Sequence, residues 1–441
     1  MAASTEPVLL PAVLRGDMDG AAYPILPPRN ADSAGGLLAV ERDLSGVDGA
    51  TLKATWDARL GDREFPYRSG VWRYRELIAP FPDDAIVSAP EGNTNLYCGE
   101  GENRCPGCRA GGCRLAHWAG VERLALKHEG ENPTASFKDR GMTAAISHAR
   151  YAGATTVACA SSGNTSASLA AYASKAGMRA LTFIPEGKIT AGKLGQTLAY
   201  GAQVVQVQGD FDAAMTLVQE VAATEPVFLA NNINPFRLEG QKSIVFEMLQ
   251  QRHWVAPDWL VLPGGNLGNT SALGKALIEA YELGLISKLP RIATIQAAGA
   301  SPFAQWFERS FDHYEPMQAE TIASAIRIGN PVSRHRARRI IQRTGGVVLA
   351  LPDAELLAAK WQIDRAGIGC EPASAASLAG IKALRERGII QPGDDIVGIL
   401  TGHVLKDTEA TERIHITGPD ARPPIVIAPT LAAVQQVLAN G

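Results

Sequence analysis

From Glu91 onward the sequence alternates between short apolar runs and helical repeats, and this alternation limits the possible folds more than any other feature of the chain. Leu124-Ala125-Leu126-Lys127, Thr155 to Ala160, Ala180 to Ile184, Val204 to Val207 and Val227 to Ala230 read as strands; so do Trp259 to Pro263, Arg291 to Ala297, Val347 to Leu351 and Asp395 to Leu400. Between them apolar residues recur at helical spacing, as at Met142, Ala145, Ile146 and Ala149. Strands that alternate with helices predict an α/β protein, a parallel sheet with helices on its faces. A chain of 441 residues is long enough for two or three lobes. Residues 1 to about 80 have a different texture, rich in Pro, Gly and Asp. They predict an extension in which Gly36 to Val40 forms a short strand and Trp72 and Tyr74 anchor the segment to the body.

The charge balance excludes several partners. A net charge of -3 gives no electrostatic reason to bind nucleic acid or an anionic membrane. The densest basic run, Arg334-His335-Arg336-Ala337-Arg338-Arg339, reads as a solvated helix face. No apolar run is long enough to span a bilayer, and Met1 to Pro11 lacks the pattern of a secretory signal, so a cytoplasmic location is expected. Cys98, Cys105, Cys108 and Cys113 crowd into one glycine-rich segment. In a reducing compartment that clustering points to a zinc knuckle or to free thiols. Only one CxxC pair is present, and His117 is a further candidate ligand.

The chemistry gathers where strands end, the edge at which parallel sheets bind ligands. In Glu131-Asn132-Pro133-Thr134-Ala135-Ser136-Phe137-Lys138-Asp139-Arg140 a loop becomes a helix, with Ser136 as the expected N-cap. Lys138 then falls in the first turn, where unpaired N–H groups and the helix dipole disfavour a positive charge. A lysine held neutral attacks an aldehyde to form a Schiff base, whereas a solvated lysine paired with a carboxylate does not. Ser161-Ser162-Gly163-Asn164-Thr165-Ser166 presents short polar donors at a helix start, suited to an anion and also to ordinary capping. Pro263-Gly264-Gly265-Asn266-Leu267-Gly268-Asn269-Thr270 links a strand to a helix and predicts a phosphate cradle of backbone N–H groups. It is neither a Walker A loop nor a GxGxxG fingerprint. In Leu400-Thr401-Gly402-His403-Val404-Leu405-Lys406-Asp407, Thr401 stands ready to hydrogen-bond a heteroaromatic nitrogen, while His403 reads as a structural imidazole.

A Schiff-base lysine, a phosphate cradle and a neutral donor for a ring nitrogen together describe a pyridoxal phosphate site. With these motifs the chain resembles the threonine synthases, within the fold type II pyridoxal phosphate enzymes of tryptophan synthase β-like architecture. Ser69-Gly70-Val71-Trp72-Arg73-Tyr74-Arg75 and Glu91-Gly92-Asn93-Thr94 are similar to that family as well. The resemblance implies two parallel-sheet domains with helices on both faces: a large one from residues 81–135 and 233–441, and a small one from 136–232, after the extension at 1–80. It implies that Lys138 holds the cofactor and acts as the catalytic base, with Phe137 bordering the ring and Asn164 bonding its phenolic oxygen. Gly264, Gly265, Asn266, Leu267, Gly268 and Asn269 would hold the phosphate, and Thr401 would face the ring nitrogen and leave it mostly unprotonated. Ser162, Thr165, Arg237, Asn266 and Lys406 would bind the substrate. The implied reaction is β,γ-replacement on O-phosphohomoserine by a homodimer. A cysteate synthase-like replacement enzyme, a deaminating dehydratase and a cofactorless zinc-knuckle binding protein are the alternatives. Ala135, Val404 and Asn232 depart from the family pattern, Asn232 close to the expected substrate phosphate.

Overall fold

The computed structural model describes residues 9–97, 113–186, 191–209, 211–418 and 421–439. Its strands, in chain order, are β1 (Ala12–Gly16), β2 (Ala22–Tyr23), β3 (Leu38–Arg42), β4 (Leu96–Tyr97), β5 (Arg123–His128), β6 (Thr156–Ala160) and β7 (Arg179–Pro185). They continue with β8 (Gln203–Val207), β9 (Phe228–Leu229), β10 (Trp259–Pro263), β11 (Arg291–Ala297), β12 (Val347–Leu351) and β13 (Asp395–Leu400). They form three sheets: an antiparallel β2-β1-β3, a six-stranded β12-β11-β10-β13-β5-β4 and a four-stranded β8-β7-β6-β9.

The four-stranded sheet is wholly parallel. The six-stranded sheet is parallel except at its edge, where β4 runs antiparallel to β5, a departure from the uniform sheet expected. The two residues of β4 are too few to give a periodic signal, and their pairing depends on the distant strand β5.

Both larger sheets are covered on two faces, and the alternation of side chains along each strand shows it. Leu260 and Leu262 of β10 enter one core with Val397 and Ile399 of β13. Trp259 and Val261 enter the opposite core with Ile396 and Leu400. In the four-stranded sheet Val157 and Cys159 point to one cluster, while Ala158 and Ala160 point to another. These strands read as unbroken apolar runs because neither face meets water.

The extension is more ordered than its composition suggests. β1 and β2 carry no strong apolar pattern, yet β1 pairs with the expected strand β3 and β2 pairs with β1. Trp72 and Tyr74 are fully buried, and the Trp72 indole N–H donates to Thr143 Oγ1 at 2.8 Å, fixing the extension to the helix that begins at Lys138. Gly70 N–H donates to Glu91 O at 2.7 Å, so the two glycine-bearing motifs of the N-terminal third pack on one another. Gly92, at φ 84°, lies so close that a Cβ would come within 2.6 Å of Gly70 Cα.

The basic run does not form the solvated face expected of it. In the helix Arg334–Thr344, Arg336 is buried and, with Arg339, clamps Asp17 of the extension at 2.5 and 2.8 Å, while Arg338 lies over Trp306 and Phe311. Its partners come from remote parts of the sequence, so the local charge density was misleading. Among the described residues no helix is long and apolar enough to cross a membrane.

Candidate active site

The turns after β5, β6, β10 and β13 carry the residues singled out in the sequence. Lys138 is the first residue of the helix Lys138–Tyr151, which has no side-chain N-cap. Ser136 does not cap it. This residue instead forms a β-bridge with Gly402, and Phe137 N–H donates to Thr401 O at 3.0 Å. Asp139 fixes the turn, accepting from Thr134 N–H and Thr134 Oγ1, both at 2.6 Å, and from Ser168 Oγ at 2.6 Å. The preceding Ala135 is at φ 66°, a left-handed conformation that favours glycine.

The Lys138 amine lies 3.8 Å from the centre of the Phe137 ring. Burial of the amine, and then the nearby Arg237 guanidinium, pull its pKa down to about 7, against the opposing pull of Glu371. About half of the Lys138 amine is therefore uncharged at neutral pH, and most of it above about pH 8.

Arg237 lies in the first turn of Pro235–Gln251, whose N-cap Asn234 accepts from Phe236 and Arg237 N–H. The guanidinium is buried, and its Nη1 donates to Ala230 O at 3.1 Å. Its buried Nε has no partner, and no carboxylate pairs with it among the described residues. Burial lowers its pKa to about 10, a sign of how poorly the cation is compensated.

The glycine turn after β10 has the shape of a cradle. A Cβ at Gly264 would come within 2.5 Å of Thr294 Cγ2, and one at Gly265 within 3.0 Å of Ile326 Cα. Gly268 abuts Asn232, the departure noted in the sequence, at 2.4 Å by the same test. Asn266 Oδ1 accepts from Val332 N–H at 2.7 Å, and Leu267 turns left-handed at φ 62°. The 15-residue helix Gly268–Glu282 starts without a side-chain cap, and the buried Asn269 Oδ1 has no partner. The helix Asn164–Ala176 after β6 is likewise uncapped and carries Asn164 and Thr165, with Ser162 just before it. Uncapped helix starts leave N–H groups available to an anion.

Thr401 closes the site at the end of β13, and two residues missed in the sequence accompany it. Glu371 immediately precedes the helix Pro372–Glu386. Its carboxylate accepts from Asn164 Nδ2 at 3.0 Å and from Thr401 Oγ1 at 3.1 Å, linking the two larger sheets. Ser374 Oγ accepts from Thr401 and Gly402 N–H at 2.8 and 2.9 Å. The available signal was Glu371-Pro372-Ala373-Ser374, which looks like an ordinary helix start. Lys406 hydrogen-bonds Gln196, across from the four-stranded sheet. His403 Nδ1 accepts from Leu405 N–H and its ring stacks on His128, a structural role. Of the cysteine cluster, Cys98, Cys105 and Cys108 lie outside the described residues, and Cys113 directly precedes the helix Arg114–Ala119 that carries His117. Among the described residues no three metal-binding side chains come together.

The sequence profile of the pyridoxal-phosphate dependent enzymes matches residues 113–402. The chain is 44% identical to the threonine synthase of Methanocaldococcus jannaschii, across 86% of this chain and 89% of that one. It is 47% identical to the threonine synthase of a Synechocystis strain, across 78% and 84%. The chain belongs to the threonine synthase family. A relative from Arabidopsis thaliana, the chloroplastic threonine synthase 2, is 36% identical across 92% of this chain and 80% of its own. Among solved structures, the processed threonine deaminase isoform 2 of Solanum lycopersicum superposes with a TM-score of 0.60 at 20% identity, covering 75% and 85%; maize serine racemase gives 0.56 at 19%, covering 74% and 90%. These two establish the fold, that of the fold type II enzymes.

As a member of this family the protein is a pyridoxal phosphate-dependent lyase. The residues present suit that cofactor. A lysine with a depressed pKa, an uncapped helix start with a partnerless Asn269 Oδ1, and a buried, partnerless Ser136 hydroxyl beside Lys138 are each poorly satisfied within the chain alone, and the glycine turn at 264–268 has no room for side chains that would crowd a bound phosphate.

Proposed function

We propose that this chain converts O-phospho-L-homoserine and water into L-threonine and inorganic phosphate. The observation that carries the reading is Arg237, a buried cation without a carboxylate partner, close enough to Lys138 to depress its pKa. Such a group calls for an anionic ligand, and a guanidinium fork matches a phosphate dianion.

Pyridoxal phosphate, when bound, supplies the electron sink that stabilises charge developing at the substrate's α and β carbons. In this reading Gly264, Gly265, Asn266, Leu267, Gly268 and Asn269 would hold its phosphate, Phe137 would border its ring, and Asn164 and Thr401 would hydrogen-bond its polar groups. Lys138, whose pKa is pulled down to about 7, is the residue that would hold the cofactor. The same amine would also take protons from the substrate's α and β carbons and return one at the γ carbon. Arg237 steadies the phosphate as the Cγ–O bond breaks, with Ser162, Thr165, Asn266 and Lys406 as further substrate ligands. Water would then add its hydroxyl at the β carbon, and return of a proton to the α carbon would complete threonine. We divide the chain into the extension (1–80), a large domain (81–135 with 233–441) and a small domain (136–232), a division that the separate sheets support, and the substrate would bind between the last two. We further propose a cytoplasmic homodimer, and zinc on Cys98, Cys105, Cys108 and Cys113, for which metal analysis of the purified protein is the test.

The assay is release of phosphate together with threonine from O-phosphohomoserine. A chain active only on phosphoserine with sulfite would be a cysteate synthase-like enzyme, one that releases ammonia would be a deaminase, and one that takes up no coloured cofactor would be neither. Arg237→Met should raise KM for the phosphorylated substrate at least tenfold and leave cofactor uptake intact. Unchanged KM would remove the guanidinium from the substrate's phosphate.

A further inference from the structure

We propose that Glu371 sets, through the Thr401 hydroxyl, whether the heteroaromatic nitrogen of the bound cofactor carries a proton. The inference rests on the reading of this site as one for pyridoxal phosphate, and it assigns a positioning and proton-holding role to a residue that the reaction as derived above does not use.

Ser374 Oγ accepts from Thr401 N–H at 2.8 Å and from Gly402 N–H at 2.9 Å, which occupies both of its lone pairs. Its own hydrogen is left to donate, and Thr401 Oγ1 at 2.9 Å is a better acceptor than Gly402 O at 3.4 Å. Thr401 Oγ1 therefore receives one hydrogen from Ser374 and keeps one lone pair and one proton. Glu371 Oε1 lies 3.1 Å away and competes for both.

Two complete arrangements satisfy every group. With Glu371 ionised, the Thr401 proton goes to the carboxylate, and the remaining lone pair of Thr401 accepts an N–H from a protonated ring. With Glu371 protonated, its proton goes to that lone pair, and the Thr401 proton turns to an unprotonated ring nitrogen. The two differ by one hydrogen moving from the carboxyl to the hydroxyl and another from the hydroxyl to the ring. The total is unchanged, and no other group gives or takes a proton. The expectation that a hydroxyl at this position leaves the nitrogen neutral considers Thr401 alone.

The carboxylate is built into this place. Glu371 N–H donates to Gly402 O at 3.0 Å, and a Cβ at Gly402 would come within 2.4 Å of the Glu371 carboxyl carbon, so glycine here leaves the carboxylate room to sit against Thr401. Oε2 is held by Asn164 Nδ2 at 3.0 Å, leaving Oε1 for Thr401. No cation lies within ion-pair distance among the described residues; Lys138 and Lys406 act on the carboxyl from further away, and the Cys370 thiol beside it is kept protonated by burial. Burial raises the carboxyl's own pKa, which brings the two arrangements closer in energy.

The test uses holoenzyme reconstituted with cofactor labelled with nitrogen-15 in the ring, read by its chemical shift. The wild-type resonance is expected between the neutral and protonated pyridine positions. In Glu371→Gln the amide mimics the protonated acid, donating to Thr401 while its oxygen accepts from Asn164, and the resonance should move to the neutral position. Thr401→Val should give the neutral position too, and adding Glu371→Gln to it should change nothing further. Should Glu371→Gln fail to fold, the wild-type and Thr401→Val resonances still decide. Coincident resonances in the wild type and either variant would overturn the proposal. A wild-type chain without a visible cofactor band would instead overturn the reading of the site on which it rests.

Discussion

At the scale of single residues, the site is a set of groups that the folded chain leaves unsatisfied. Lys138 has lost most of its hydration without gaining a carboxylate partner, and the consequence is measurable. Below about pH 7 the neutral amine becomes scarcer by about tenfold per pH unit, so capture of pyridoxal phosphate by the cofactor-free chain, followed as growth of the visible band, should slow as the pH falls and level off above about 7. A rate that keeps climbing to pH 10 would mean an ordinary lysine. Ala135 makes the opposite case, because it is a departure from the family that the backbone tolerates at a cost. At φ 66° its Cβ crowds the following carbonyl, so Ala135→Gly should raise stability by about 0.5–1 kcal/mol in thermal denaturation, the relief of strain exceeding the added freedom of the unfolded chain. The place of Lys138 at the start of a helix was legible in the sequence, whereas the burial that lowers its pKa was not. Glu371 was not, because a glutamate before a proline is commonplace, and only the approach of Asn164 and Thr401 from distant segments gives it a role.

At the scale of elements, strand ends feeding helix starts make the binding edge. The cradle after β10 depends on glycine because Thr294 stands on the adjacent strand. Gly264→Ala should overpack the turn, cost about 1–3 kcal/mol and weaken cofactor binding in a spectrophotometric titration. The helix Lys138–Tyr151 is held by a buried network in which Arg140 meets Glu129 at 2.6 and 2.8 Å and Glu247 at 2.7 Å, and Lys127 meets Glu247 at 2.6 Å. Arg140→Ala would leave Glu129 uncompensated and Glu247 with Lys127 alone. A loss of about 3–5 kcal/mol is expected in denaturant unfolding. A smaller loss would show that water enters the network. This arrangement fixes the orientation of the helix that presents Lys138, and of its members Arg140 and Lys127 stood within stretches noted in the sequence while Glu129 and Glu247 did not.

At the scale of the whole molecule, stability and function pull against each other at Arg237. A buried guanidinium without a countercharge destabilises the cofactor-free chain, so Arg237→Met should raise its melting temperature even as it weakens substrate binding. A lower melting temperature would show that the bond to Ala230 O outweighs the buried charge. By itself the sequence determined the α/β class, most strand positions, the place of Lys138 at a helix start, the tight glycine turn after β10 and the kinship with threonine synthases. Each of these is written in local periodicity, in the need for glycine where a Cβ would collide, or in short contiguous motifs. Tertiary structure alone decided that β4 runs antiparallel, that the basic helix grips Asp17, that Asp139 rather than Ser136 holds the turn, and that Glu371 and Ser374 stand behind Thr401. Those outcomes depend on which remote segments come within hydrogen-bonding distance once the sheets have closed, and no spacing along the chain encodes that.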